Sequence, residues 1–108
     1  MKDLKERNCL HLNKIQLLTD LREIAEIKSQ LITNWEIKDK TVLYKSFKFE
    51  DFKRAMAFIQ EVAIIAESEQ HHPDINIRYN VVKIKLTTKD LGGLSINDFI
   101  MAAKIENL

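Results

Sequence analysis

The sequence predicts a two-layer α+β domain: a four-stranded antiparallel sheet with three helices on one face, in the order αββαββα. Three observations predict this class. Apolar residues recur at intervals of three and four in three segments, which is helical spacing. Between these segments lie two pairs of short segments with strand-like alternation, each pair joined by a short connection. The chain has 108 residues, enough for one modest hydrophobic core and too few for a second domain.

The first helix is expected to begin at Leu17 and end near Asn34. Its apolar residues keep helical spacing throughout this segment. Thr19 and Asp20 are both residue types that cap a helix N-terminus, and either is available here.

The segment before this helix, residues 1–14, is mixed and charged without clear periodicity. We expect it to be a frayed leader and place a single domain at residues 15–108. Cys9 and His11 lie in the leader, but the chain offers them no partners at metal-ligand spacing. An ordinary surface role is therefore favoured for both over a metal site.

The segments NWEIKD and TVLYKSFKF are predicted to form the first two strands. A second helix follows, and its expected core face consists of Phe52, Ala55, Met56, Ile59, Val62, Ala63 and Ala66. Phe58, Ile64 and Ile65 fall outside that face, so the helix is apolar nearly all round. Such a helix is normally covered on all sides, which predicts a homodimer or homotetramer built on this surface. Cover by the leader or by the last helix is the alternative.

A hairpin is predicted between Ile75 and Leu86, with a tight connection near Asn80. Apolar residues alternate with polar ones along both halves of this segment. Lys83 and Lys85 are expected on the solvent face of its second strand.

The last helix is predicted to begin after the two glycines, Gly92 and Gly93. Ser95 and Asp98 have the spacing of a capping box, in which each side chain accepts a backbone hydrogen bond from the other residue. That position alone accounts for Asp98, so we expect its role to be structural.

Charge and composition exclude several classes of function. Seventeen basic residues against sixteen acidic ones give a net charge of +1, which provides no positive field for nucleic acid phosphates. No apolar run approaches the roughly 20 residues that span a bilayer. The opening MKDLKERNCL lacks the apolar core of a signal peptide, and a single cysteine cannot form an internal disulfide. We expect a cytoplasmic protein that binds neither nucleic acid nor a membrane.

Two adjacent histidines, His71 and His72, follow the second helix directly. Pro73 stops that helix from continuing and favours an extended backbone at His72. Because neighbouring side chains on an extended chain point in opposite directions, one metal ion bound by both histidines is disfavoured. An imidazole both gives and accepts protons near neutral pH. Proton transfer is therefore favoured over a metal site, although a histidine pair in a loop is more often structural than catalytic.

The residues from Glu67 to Asp98 resemble the signature of the pterin-4a-carbinolamine dehydratase family. Members typically show a charged residue one helical turn before His-His-Pro, then an aromatic residue, another histidine and an aspartate. The corresponding positions here are Glu67, His71, His72, Pro73, Tyr79, Lys89 and Asp98. The resemblance extends upstream through Trp35 and FKFEDFKRAMAFIQEVAIIAE and downstream through GGLSINDF. It covers nearly everything from the first helix onward, and it implies the same αββαββα fold.

The resemblance implies dehydration of a 4a-hydroxytetrahydropterin to the quinonoid dihydropterin, in pterin cofactor recycling, with no metal and no cofactor. The reaction calls for a general acid at the departing hydroxyl and a general base for a proton of the ring system. By resemblance, His71 and His72 bind the substrate and transfer protons, with Lys89 at the third catalytic position. The other substrate-binding positions implied by the family are Glu67, Gln70, Pro73, Thr87, Thr88 and Asp90. Of these, Glu67 is expected to orient an imidazole or to pair with a ring nitrogen of the pterin.

Lys89 departs from the family pattern, which has a histidine at this position. An ordinary lysine is a poor base at neutral pH, so Lys89 acts either after desolvation or as a fixed positive charge that polarises the leaving oxygen. We expect reduced activity with His71 as the principal base. The alternative is a catalytically weakened homologue that acts as a protein-binding or assembly factor, as a coactivator of this family does.

Overall fold

The computed structural model describes residues 3–108. The helices are α1 (Leu21–Lys28), α2 (Phe52–Glu69) and α3 (Ile96–Glu106), and the strands are β1 (Glu36–Lys38), β2 (Val42–Lys48), β3 (Asp74–Arg78) and β4 (Val81–Leu86). Single 3₁₀ turns lie at Leu4–Glu6 and Lys89–Leu91. The order α1-β1-β2-α2-β3-β4-α3 confirms the predicted αββαββα fold.

All four strands pair in one antiparallel sheet with the order β1-β2-β4-β3. Successive side chains of a strand point to opposite faces of the sheet. In β4, Val82 and Ile84 are accordingly fully buried on the helix face, whereas Lys83 and Lys85 are exposed on the other face, as predicted.

The register of the last hairpin brings two chain segments together. Asp74, at the start of β3, pairs with Lys85 near the end of β4. The segment 70–73 that leads into β3 and the segment 87–90 that leaves β4 therefore lie at the same end of the sheet. All of the predicted site residues except Glu67, which lies on α2, are divided between these two segments.

The helix α3 forms the centre of the core. Its fully or almost fully buried apolar residues are Phe99, Ile100, Met101, Ala102, Ala103 and Ile105. The predicted capping box is present: the Ser95 side chain accepts from the backbone N–H groups of the first turn, and the Asp98 side chain accepts from the Ser95 N–H.

The helix α1 is shorter than the apolar spacing predicts, beginning at Leu21 and ending at Lys28. Long-range hydrogen bonds hold the chain in other conformations on both sides. Before the helix, the Leu18 N–H donates to the Leu94 carbonyl at 2.8 Å. After it, the Ile32 N–H donates to the Glu106 carboxylate at 2.7 Å. Periodicity detects the apolar residues of this segment but not the distant acceptors, so the predicted bounds are wrong at both ends.

One side of α2, the side of Ile64, is not covered by any of the residues that the structure describes. Phe58 packs against Phe47 and Phe49, with ring centroids 4.9 Å apart in each pair, so it differs from its predicted place outside the core face. Ile64, predicted to lie outside the core face, is 69% exposed. Phe52 was predicted on the core face, but it lies at the start of α2 and is 50% exposed, so that prediction is wrong. No helix of the described residues is long and apolar enough to cross a membrane.

The described part of the leader is anchored to the helices of the domain. Leu4 is buried in the main core cluster. The Lys104 ammonium donates to the Lys5 carbonyl at 2.9 Å, and the Cys9 N–H donates to the Glu69 carboxylate at 2.7 Å. Side-chain hydrogen bonds of this kind leave no periodic signal in a sequence, which is why residues 1–14 have the pattern of a frayed segment.

Candidate active site

The end of α2 turns the chain sharply into the two histidines. Gln70 caps the helix in the left-handed region, with φ of 53°, and its side-chain amide folds back to donate to the Glu67 carbonyl at 2.7 Å. Pro73 follows and prevents helical continuation. The two imidazoles consequently have different partners, as the extended-chain argument predicted: His71 bonds to an aspartate inside the domain and His72 to a glutamate on its surface.

The inner partner of His71 is Asp98. The Nε2 atom of His71 lies 2.7 Å from Oδ1 of Asp98. The side chains of His71 and Asp98 are 12% and 0% exposed. Because burial removes competing water from such a contact, the aspartate holds the imidazole in one orientation.

Asp98 is itself fixed by two neighbouring residues. Its Oδ2 accepts from the Thr88 hydroxyl at 2.9 Å and from the Ser95 N–H at 3.0 Å. The hydroxyl oxygens of Thr88 and Ser95 lie 2.6 Å apart. The helix cap and the histidine contact therefore belong to one buried hydrogen-bond network, in which Asp98 contacts His71 in addition to capping α3.

This network determines which nitrogen of His71 is free. A carboxylate only accepts hydrogen bonds, so a neutral His71 carries its proton on Nε2 and keeps a lone pair on Nδ1. Nδ1 has no hydrogen-bond partner among the described residues, and no buried side-chain nitrogen or oxygen of those residues lacks one. Nδ1 is therefore open to solvent and available to a ligand.

The outer pair, His72 and Glu67, is exposed. Nε2 of His72 lies 2.5 Å from Oε2 of Glu67, and the two side chains are 56% and 74% exposed. Glu67 was expected to orient an imidazole or to pair with a ring nitrogen of a ligand, and in the structure its carboxylate contacts His72.

A cavity of about 270 Å³ lies between the two segments. From the predicted set, it is lined by Gln70, His71, His72, Thr87, Thr88, Lys89 and Asp90. Glu67 and Pro73 are absent from this lining, and Leu12 of the leader is an addition that the sequence did not predict. Seven of the nine predicted residues thus share one cavity.

Lys89 lies at the rim of this cavity. Its ammonium is 3.6 Å from the Asp74 carboxylate, and the two side chains are 74% and 63% exposed. Thr87, two residues earlier, donates its hydroxyl to the Thr41 carbonyl at 2.7 Å, so its side chain ties β4 to the β1–β2 connection.

A second cavity of about 590 Å³ adjoins the first, because Leu12, Gln70 and His71 line both. Cys9 lines this second cavity. Burial, and then the negative charge of Glu69, raise the pKa of the Cys9 thiol to about 12. Among residues 3–108, no three His, Cys, Asp or Glu side chains are arranged to hold a metal ion.

The two aromatic residues of the resemblance have different surroundings. Trp35 is buried, with its indole N–H donating to the Glu106 carboxylate at 3.0 Å, as expected for a core residue. Tyr79 lies in the hairpin turn and is 65% exposed, so it is not a core residue. A turn residue needs no core contact, and alternation along a strand does not reveal where the strand ends.

The family model described as pterin 4 alpha carbinolamine dehydratase matches residues 17–108 of the chain. The chain belongs to this family. A Rickettsia canadensis protein provisionally named pterin-4-alpha-carbinolamine dehydratase is 36% identical over 107 residues, covering 99% of this chain and 98% of that protein. The mitochondrial pterin-4-alpha-carbinolamine dehydratase 2 of Arabidopsis thaliana is 38% identical over 112 residues, covering 100% of this chain and 60% of that protein.

Solved structures of this family have the same fold. The transcriptional coactivator/pterin dehydratase of Brucella melitensis superposes with a TM-score of 0.78 at 33% identity, covering 85% of this chain and 97% of that chain. A pterin dehydratase-like protein identified as a RuBisCO assembly factor in the alpha-carboxysome gives a TM-score of 0.60 at 27% identity, covering 70% and 89%. The proteins similar to this chain thus include some named for catalysis and one named as an assembly factor.

Proposed function

We propose that this protein dehydrates a 4a-hydroxytetrahydropterin to the quinonoid dihydropterin, with His71 as the principal general base. The observation that carries the proposal is the contact between Nε2 of His71 and the fully buried Asp98, at 2.7 Å. A buried carboxylate that accepts from Nε2 leaves Nδ1 as a base and stabilises the imidazolium that forms when Nδ1 takes a proton.

The proposed reaction loses one water molecule: the hydroxyl leaves the carbinol carbon and a proton leaves the ring system. His71 accepts the ring proton at Nδ1. The departing hydroxyl needs a proton as well, and His72 at the cavity mouth is the candidate donor, through its imidazolium form paired with Glu67. The reaction as proposed uses protein side chains alone, with the pterin as substrate.

Lys89 is proposed to act as a fixed positive charge rather than as a base. Its ammonium is exposed at the cavity rim and lies 3.6 Å from the Asp74 carboxylate. A cation at this position polarises the leaving oxygen without transferring a proton. We therefore expect turnover below that of relatives with an imidazole here.

The test is stopped-flow measurement of the loss of chemically generated 4a-hydroxytetrahydropterin. Native protein should exceed the spontaneous rate, and His71→Ala should reduce the enzymatic rate by about 10²–10⁴-fold. Lys48→Ala is a suitable control, because Lys48 is exposed and pairs with Val81 at the opposite end of β4 from the site. A folded native protein that does not exceed the spontaneous rate would rule out the dehydratase.

A second candidate function, protein binding, is favoured by the uncovered side of α2. Ile64 remains 69% exposed there. We propose that a second copy of the chain covers this surface in a homodimer or homotetramer, as expected for a helix that is apolar on both sides. If a native monomer is found by light scattering at micromolar concentration, the oligomer is excluded and the surface is free for another protein, in a coactivator-like or assembly role.

The oligomer has a direct test at one residue. Ile64→Glu places a charge on the uncovered side without touching the core, and it should convert an oligomer into a monomer. Lys83→Glu, which changes a charge on the exposed face of β4 away from the helices, is the control that should leave the oligomer intact.

A further inference from the structure

The cavity between His71 and Lys89 has one hydrocarbon side chain among the described residues that line it, and that side chain comes from the leader. It is Leu12, which is 58% exposed. The other residues lining the cavity are an amide, two imidazoles, two hydroxyls, an ammonium and a carboxylate. Polar groups of this kind suit the edge of a heterocycle, whereas Leu12 is the one wholly aliphatic side chain available to its faces.

A single exposed leucine is ordinary on a protein surface and needs no explanation by itself. What distinguishes Leu12 is the segment that carries it. Residues 8–12, here called the leader arm, are attached at two successive backbone positions just before the leucine.

The first attachment is the Cys9 N–H, which donates to the Glu69 carboxylate at 2.7 Å. The second is reciprocal: the Leu10 N–H donates to the Asn97 side-chain oxygen at 2.8 Å, and the Asn97 amide donates to the Leu10 carbonyl at 2.9 Å. Asn97 is only 3% exposed, so these two bonds have little competition from water.

Asn97 links the arm to the reacting groups. It precedes Asp98, the partner of His71, at the start of α3. The first turn of α3 therefore orients the His71 imidazole through Asp98 and holds the leader arm through Asn97. Leu12, two residues beyond Leu10, consequently has a defined place at the mouth of the cavity.

We propose that Leu12 packs on one face of the bound heterocycle and that Asn97 is the positioning residue that holds it there. This inference rests on the proposed function and deepens it, because it names the surface that recognises a flat bicyclic ring as opposed to its polar edge. The ligand class is a planar heteroaromatic bicycle with hydrogen-bonding groups around its rim. The leader arm thereby becomes one wall of the substrate site.

Binding of oxidised biopterin, followed by quenching of its own fluorescence, tests this without any need for turnover. Leu12→Ala should weaken binding by about tenfold, the effect of losing roughly two methylene groups of apolar contact. Leu12→Met retains an apolar side chain of similar size and should restore most of the affinity. Ile32→Ala is the matched control, because Ile32 is also a large exposed apolar residue, 72% exposed, and lies near Glu106 at the other end of α3.

A double-mutant cycle separates positioning from general damage. Asn97→Ala should weaken biopterin binding by about tenfold, and the variant carrying both Asn97→Ala and Leu12→Ala should be no weaker, because both changes remove the same contact. Independent effects would instead multiply to about a hundredfold, and that result would overturn the role of Asn97. If Asn97→Ala fails to fold, as judged by thermal unfolding, Leu10→Pro removes the backbone donor of the arm without changing α3 and should show the same loss.

The possible results are distinct from those of the rate measurement. Native protein that binds biopterin while Leu12→Ala binds it equally well would overturn the proposed role of Leu12 and leave the dehydratase intact. Native protein that neither binds biopterin nor accelerates the dehydration would overturn both. In the expected case, Leu12→Ala raises KM in the dehydration assay by about the same factor as it weakens biopterin, with little change in kcat.

Discussion

Two adjacent histidines in this protein have carboxylate partners in opposite environments. His71 lies against Asp98, where the two side chains are 12% and 0% exposed, whereas His72 lies against Glu67, where they are 56% and 74% exposed. The two heavy-atom distances are similar, at 2.7 and 2.5 Å. Distance alone therefore does not distinguish them. The difference is that the inner carboxylate is held by other groups and shielded from water, so the inner pair orients a base and the outer pair remains adjustable.

The comparison predicts its largest effect in turnover. His71→Ala should lower the dehydration rate by about 10²–10⁴-fold, because it removes the oriented base. His72→Ala should lower it by about tenfold, because water at the exposed mouth can replace part of a proton donor's function. Stopped-flow rates for both variants, at equal folded concentration, give the ratio. Equal losses would mean that burial does not separate the two roles.

The next effect is on stability. Asp98→Ala should lower the free energy of unfolding by about 2–4 kcal/mol, because it removes a helix cap and leaves buried donors without an acceptor. Glu67→Ala should change it by less than about 0.5 kcal/mol, as is usual for an exposed pair. Urea denaturation followed by circular dichroism measures both. A larger loss in Glu67→Ala than in Asp98→Ala would reverse the assignment of the inner and outer pairs.

A third carboxylate, that of Glu69, is also shielded from water, and it lies beside the thiol of Cys9. It lies two residues after Glu67 on α2, but its side chain is only 9% exposed and contacts the Cys9 backbone. Because burial and the Glu69 charge raise the pKa of Cys9 to about 12, very little thiolate is present at pH 8. Iodoacetamide should therefore alkylate Cys9 more than about tenfold more slowly than free cysteine, and faster as the pH rises.

The variant Glu69→Gln isolates the charge contribution. The amide oxygen can still accept from the Cys9 N–H, but the negative charge is gone, so the pKa of the thiol should fall and alkylation at pH 8 should accelerate. Mass spectrometry of the modified protein gives the rates. Native labelling as fast as that of free cysteine would contradict the buried, protonated thiol.

The last prediction is a gain in turnover, expected for Lys89→His. An imidazole titrates near neutral pH and so can act as an acid or base at the cavity rim, where a lysine cannot. Turnover should rise, by about tenfold, with the rise greatest near neutral pH. Lys89→Gln, which removes the charge without adding an imidazole, should lower turnover slightly if the ammonium polarises the leaving oxygen. A rise in Lys89→Gln equal to that in Lys89→His would show that the lysine is merely obstructive.

Local chemistry in the sequence predicts some of the site well. The capping box of Ser95 and Asp98 and the divergence of His71 from His72 both depend on residues close together in the chain, and both are confirmed. The contacts that sequence reasoning missed are long-range. Asp98 is 27 residues from His71, and Asn97 is 87 residues from Leu10.

The same difference between local and long-range interactions decides how much of the fold could be predicted. The number and order of the main helices and strands follow from periodicity, whereas the bounds of α1 depend on acceptors elsewhere in the chain, such as the Glu106 carboxylate and the Leu94 carbonyl. Each of those acceptors is close to α1 only because of the tertiary packing of the chain, which overrides local propensity. Patterns within a short window contain no information about such partners.

Asp98 has a further consequence for tracing this family through evolution. The same carboxylate caps α3 and contacts His71, so, under the proposed function, a descendant that lost dehydration would still need the aspartate to fold. Natural selection for folding alone would retain it. An aspartate at this position is accordingly a poor marker of activity when genomes are surveyed, whereas His71, which contributes no helix cap, is free to drift once catalysis is lost and is the more informative residue.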